Sequence, residues 1–86
     1  MEEITRILQP HFPGATICFE QDQNTHLING RIIWAGFRKV GFVERQYLVI
    51  NPLRAEMGDR ADEINMISTY TPQEEKAMWD IDHLTP

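Results

Sequence analysis

Apolar positions recur along this chain with two periods. Ile4, Ile7, Leu8 and Phe12 fall at i, i+3, i+4 and i+8, one face of a helix. Pro10 removes a backbone donor, so the spacing predicts a helix that loosens near Gln9. Pro13-Gly14 then predicts a turn. Over residues 15–20 the period drops to two: Ile17 and Phe19 share one face, Thr16, Cys18 and Glu20 the other. That is a strand pattern. A polar loop follows from Gln21 to Thr25. Leu27 to Trp34, rich in branched and aromatic residues, predicts a second strand antiparallel to the first. Asn29-Gly30 interrupts it and reads equally as a bulge or as a tight hairpin turn.

Gly36 to Gly41 is a glycine-bounded basic loop. Phe42 to Met57 returns to the helical period, with Val43, Tyr47 and Ile50 on one face, extended by Leu53 and Met57. Pro52 predicts a kink or a division of that helix, and Gly58-Asp59 its end. Glu63 to Tyr70 alternates again, a third strand. Thr71-Pro72-Gln73-Glu74 carries a complete helix start: threonine as cap, proline at the first position, glutamate at the third. The last helix is expected to reach about Asp80, with Ala77, Met78 and Trp79 available to pack. The predicted order is α-β-β-α-β-α, an α+β fold with one three-stranded sheet packed by helices.

Composition narrows the function classes. The chain of 86 residues is 42% hydrophobic and 24% charged, the balance of one small globular domain. We place the domain at residues 1–86, with its core at about 4–79 and a tail at 80–86. The net charge of −5 argues against a general nucleic-acid coat protein, though a local basic patch remains compatible with it. One cysteine, Cys18, excludes an internal disulfide and a multi-thiolate zinc site within one chain. The acidic start and the short uncharged stretches give no expectation of a signal or membrane span, so a cytoplasmic monomer or weakly associating homodimer is expected. No nucleophile with a nearby base appears, and Asp80 and Asp82 in the tail make no general acid–base pair.

Four basic residues, Arg31, Arg38, Lys39 and Arg45, lie within positions 31–45 among Trp34, Phe37 and Phe42. Cations beside a helix start suit phosphate or an acidic protein partner. The Gly-x-x-Gly clamp of KH domains is absent, because four residues separate Gly36 from Gly41. His26 sits in the polar loop beside Asp22, Gln23 and Asn24. His11 and His83 are expected to be solvated.

In order and spacing these segments resemble the BolA family, over roughly residues 4–79. Phe42-Val43-Glu44-Arg45-Gln46 is similar to the family's Arg-Val-x-Arg-His signature at the start of the second helix. Val49-Ile50-Asn51-Pro52-Leu53 resembles the proline-broken continuation of one branch. Ile67 to Glu74 resembles the closing strand and helix start, and Thr25-His26-Leu27 the Ser-His-Phe that opens the second strand. The resemblance implies a type II KH-like fold, no catalysis, and partnership with a monothiol glutaredoxin, with a two-iron two-sulfur cluster shared between the two proteins.

The chain departs from that pattern at four places. The stretch from His26 to the second helix is one residue longer, which a bulge at Asn29-Gly30 would absorb. Gly41 replaces a capping serine. Gln46 stands where the signature has histidine, and Glu63 where the family has its second metal-ligating histidine. The resemblance therefore implies His26 as a metal ligand, with Glu63 a hard carboxylate poorly suited to iron–sulfur ligation and Cys18 a remote substitute. Arg38, Lys39, Arg45 and Gln46 are the expected partner- or nucleic-acid-binding residues. The reading is a non-enzymatic adaptor with reduced or lost cluster ligation and no cofactor in isolation. The alternative is a nucleic-acid-binding, transcription-regulating module of KH-like fold, in stress response.

Overall fold

The computed structural model describes residues 2–84, with side chains described as far as Trp79. The elements run α1 (Glu2–Leu8), β1 (Thr16–Gln21), β2 (Ile28–Ile33), α2 (Phe42–Met57), β3 (Ile64–Tyr70) and α3 (Pro72–Leu84). This is the α-β-β-α-β-α order that the spacing predicts. As Pro10 dictates, α1 gives way after Leu8 to a 3-10 turn over Gln9–His11. Further 3-10 turns cover Ala35–Phe37 and Gly58–Glu63.

The sheet order is β1-β2-β3. β1 and β2 are antiparallel, with Thr16 opposite Ile33 and Gln21 opposite Ile28. β3 runs parallel to β2, and α2 makes the crossover that a parallel pair requires. Phe19, Ile28, Ile32 and Ile67 close against Ile4, Leu8, Val49 and Leu53 from the helices and Phe12 from the turn after α1. Trp34, Phe12 and Phe37 add an aromatic corner, with ring centroids 5.1 to 5.6 Å apart. The Trp34 indole donates to the Pro13 carbonyl (3.0 Å), which ties the first turn to the end of β2.

Four expectations need correction. β2 runs unbroken through Asn29-Gly30, so the hairpin is excluded. A bulge does lie beside Asn29, but the extra residue is Asn65 in β3: Ile28 pairs with Ile64 and Asn29 with Met66. Gly30 answers a different need, because the Phe19 ring lies flat against it and occupies the space of any Cβ. Of the kink or division expected at Pro52, the division does not occur. The helix continues to Met57 and stops at Gly58, whose φ of 59° no branched residue tolerates well. The carbonyl that Pro52 leaves without a donor belongs to Leu48, a residue exposed on the outside of α2.

The other two corrections concern faces and ends. Buried positions on α2 are Arg45, Val49, Leu53 and Met57, a strict i, i+4 stripe. Val43 and Tyr47, on the expected apolar face, are 71% and 59% exposed. α3 runs on to Leu84, so helix occupies most of the expected tail. Ala77, Met78 and Trp79 are exposed rather than packed into the core. The side chains of Asp80, Asp82 and His83 lie outside the described residues.

Candidate functional site

Arg45 is the largest surprise of the helix surface. It is 3% exposed, and its donors are fully used. Nε donates to the Val40 carbonyl (2.8 Å), and one terminal nitrogen to the Phe37 carbonyl (3.0 Å) and Glu74 Oε2 (3.2 Å). The other donates to the Thr69 carbonyl (3.3 Å) and Glu74 Oε1 (2.6 Å). A guanidinium has five N–H groups, and these five bonds satisfy them all. The Phe42 ring lies over the cation at 4.5 Å. Arg45 therefore ties the basic loop, the end of β3 and the start of α3 to α2. As a contact for nucleic acid or a partner, Arg45 is corrected: its charge is buried, neutralised and without a free donor.

Glu74 completes that network from two directions. Thr71 Oγ1 accepts from the Glu74 amide (3.1 Å), and Glu74 Oε1 accepts from the Thr71 amide (2.9 Å). This is the reciprocal cap that Thr-x-x-Glu predicts. The same carboxylate forks onto Arg45. Its pKa is held below the ordinary glutamate range, chiefly by the Arg45 hydrogen bond and then by the Thr71 amide.

Of the four gathered cations, only two remain together. Arg31 lies on the open face of the sheet, directly opposite Cys18. Arg38 and Lys39 are exposed at the loop tip, Lys39 at a φ of 68°. Gln46 next to Arg45 donates its amide to the Ile67 carbonyl (2.7 Å). Together Gln46 and Arg45 occupy carbonyls along the outer edge of β3. Beside them Val43, Tyr47 and Ile50 of α2 face Ile64 and Ile67 of β3 across a shallow groove. Phe42 and Leu48 of α2 are exposed as well, Phe42 at 60%.

His26 is set by local chemistry. Asp22 Oδ1 accepts from the amides of Asn24 (2.7 Å) and Thr25 (3.0 Å), and the His26 amide donates to the Asp22 carbonyl (2.8 Å). The Asp22 carboxyl is held below its usual range, first by the Thr25 amide and then by that of Asn24. The turn leaves His26 exposed with a φ of 61°, an uncommon conformation for a residue other than glycine. Glu63 is exposed at the end of the 3-10 turn before β3. Because β2 and β3 are parallel and Ile28 pairs with Ile64, His26 and Glu63 sit at the same end of adjacent strands. Cys18 lies three residues along β1 from that end, about 10 Å away at the usual strand rise. The structure thus brings His26 and Glu63 to one end and leaves Cys18 apart.

The donor set at that end is one imidazole and one carboxylate. Among the described residues, no group of three or more His, Cys, Asp or Glu is placed to hold a metal ion. Iron–sulfur clusters take thiolate or imidazole, so these residues do not fit a cluster held by this chain alone. Among the described residues, no helix is long and apolar enough to cross a membrane.

A three-stranded sheet with an antiparallel first pair, a parallel second pair and a helix crossover defines this molecule as a small α+β domain. Its structure is similar to that of BolA1 from Arabidopsis thaliana, with a TM-score of 0.65 and 25% sequence identity, covering 85% of this chain and 92% of that one. The protein is BolA-like. No family model matches the sequence, and no curated protein matches it.

Proposed function

We propose that this BolA-like protein is a non-enzymatic adaptor that docks a monothiol glutaredoxin and takes little or no share in holding its iron–sulfur cluster. The observation that carries the reading is the uncovered apolar side of α2. Arg45 takes the buried stripe, so Phe42, Val43, Tyr47 and Leu48 are left facing outward. Val43 and Tyr47 line the shallow groove with Ile50, Ile64 and Ile67, and exposed apolar side chains around such a groove mark an interaction site. Arg38 and Lys39, exposed in the loop that leads into α2, favour an acidic partner surface. The glutaredoxin itself comes from the resemblance to the BolA family.

The cluster is the partner's cargo in this reading. His26 offers it one imidazole; Glu63 offers a hard oxygen where a softer donor is needed. Mixing the protein with a cluster-loaded monothiol glutaredoxin tests both halves, by isothermal titration for docking and the visible spectrum for the cluster. Docking with an unchanged or bleached spectrum is expected. Val43→Asp should abolish docking. Glu63→His should increase cluster retention, and His26→Ala in that background should reverse the gain. A wild-type complex that holds the cluster as firmly as Glu63→His would make Glu63 a competent ligand and overturn the second half.

A further inference from the structure

The two edges of the sheet are treated differently. On β3, the outward carbonyls of Ile67 and Thr69 are occupied by Gln46 and Arg45. On β1, among the described residues, nothing comparable is found. The Asp22 amide donates to Leu27 across the antiparallel pair, so alternation turns Asp22, Glu20, Cys18 and Thr16 toward β2. The backbone groups of Ile17, Phe19 and Gln21 then point outward. Among the described residues, no hydrogen bond is made to the outward backbone of Ile17 or Phe19. Thr-Ile-Cys-Phe-Glu-Gln contains no proline, no lysine and no bulge, the devices that blunt an edge.

We propose that β1 is a self-association edge, on which a second copy of this chain adds its own β1 antiparallel. The occupant follows from complementarity. A two-fold axis can pass between the two strands at residue 18, 19 or 20 with the strands paired. An axis at Glu20 sets the two Glu20 carboxylates opposite each other, and like charges there are unfavourable. An axis at Phe19 places Glu20 against Cys18 of the other copy. With the axis at Cys18, the outward groups of Ile17 meet those of Phe19 twice, giving four main-chain hydrogen bonds. Half-buried Ile17 then packs beside Phe19 on the core side. Glu20 lies opposite the neutral Thr16, and the two Glu20 residues are kept apart. The central pair, Cys18 to Cys18, is of the non-hydrogen-bonded kind, with Cα atoms about 4.5 Å apart. The strands alone cover less than the roughly 1,200 Å² of a stable complex, so the dimer is weak and concentration-dependent.

Charge at position 16 reads this register directly, since Thr16 is exposed and its side chain stands outside the core. Sedimentation of the full chain up to millimolar concentration should show a monomer–dimer equilibrium. Thr16→Lys places a cation opposite Glu20 twice and should tighten it about tenfold; Thr16→Glu should weaken it by a similar factor. Diamide, which takes two electrons and two protons from a pair of thiols, should cross-link the wild type through Cys18. Cys18→Ser should remove the cross-link and leave the equilibrium intact. A monomer at all concentrations overturns the proposal. So does a dimer indifferent to both Thr16 variants, particularly one lost on Val43→Asp, because that dimer would use α2. Retention of the dimer in Val43→Asp, with glutaredoxin docking lost, separates this edge from the docking surface.

Discussion

Arg45 and Asp22 each gather backbone groups around a single charged side chain, but at opposite ranges. Asp22 binds the amides of residues two and three positions ahead, in an exposed turn. Arg45 reaches residues 37, 40, 69 and 74 from a buried position on α2. The first network shapes one loop and presents His26. The second is a tertiary joint that brings the basic loop, the end of β3 and the first turn of α3 onto α2. A charge in a short-range network can be removed with local consequences. In a long-range buried network its loss strands every partner at once.

The sharpest way to break this contrast is Arg45→Met. It leaves three carbonyls and a carboxylate without their donor, and should cost about 2–4 kcal/mol by urea denaturation, chiefly from the buried Phe37 and Thr69 carbonyls left unsatisfied. Adding Glu74→Met should recover part of that loss. Asp22→Ala should leave the denaturation midpoint in place while amide exchange at Asn24 and Thr25 accelerates. Equal losses from the two single substitutions would erase the distinction.

Acid should act on the same joint. A carboxylate whose folded pKa is depressed contributes stability that is complete above its unfolded pKa, about 4.3 for glutamate, and is lost as pH falls through the folded value. The Glu74 contribution should therefore be intact at neutral pH and disappear only on the acid side of pH 4. A Glu74→Gln variant should show a flatter acid limb in denaturation midpoint against pH. A smaller effect belongs to the cap: Thr71→Ala should cost about 1 kcal/mol. Smallest of all, the Thr69 hydroxyl is buried with no hydrogen-bond partner. Thr69→Val keeps the shape and removes an unsatisfied group, so stability should be unchanged or rise by up to about 1 kcal/mol.

What was legible in the sequence follows the same division by range. The α2 limits at Phe42 and Met57, the capping residues Thr71 and Glu74 and the loosening at Pro10 are all written within a few residues of where they act. The role of Arg45 is not written locally, because it depends on residues up to 29 positions away. One clue was present: Arg45 continues the Val49, Leu53, Met57 stripe at the same four-residue step, so a burial-free charge there would have broken an otherwise regular face. The placement of the bulge in β3 rather than β2 was illegible for a related reason, since an irregular pair belongs to two strands and either can carry the extra residue. At the candidate site, the approach of His26 and Glu63 to one end of the sheet is a product of parallel pairing, which no local pattern encodes.

Gly30 has a bearing on how this fold can drift over evolutionary time. Positions 19 and 30 share a single volume, for the Phe19 ring fills the space that a side chain at 30 would need. The two sites are thus free to vary only as a couple. Homologues with alanine or a larger residue at the second position should carry a smaller, non-aromatic one at the first. A chain that changed position 30 alone would have to move the Phe19 ring or the backbone beside it.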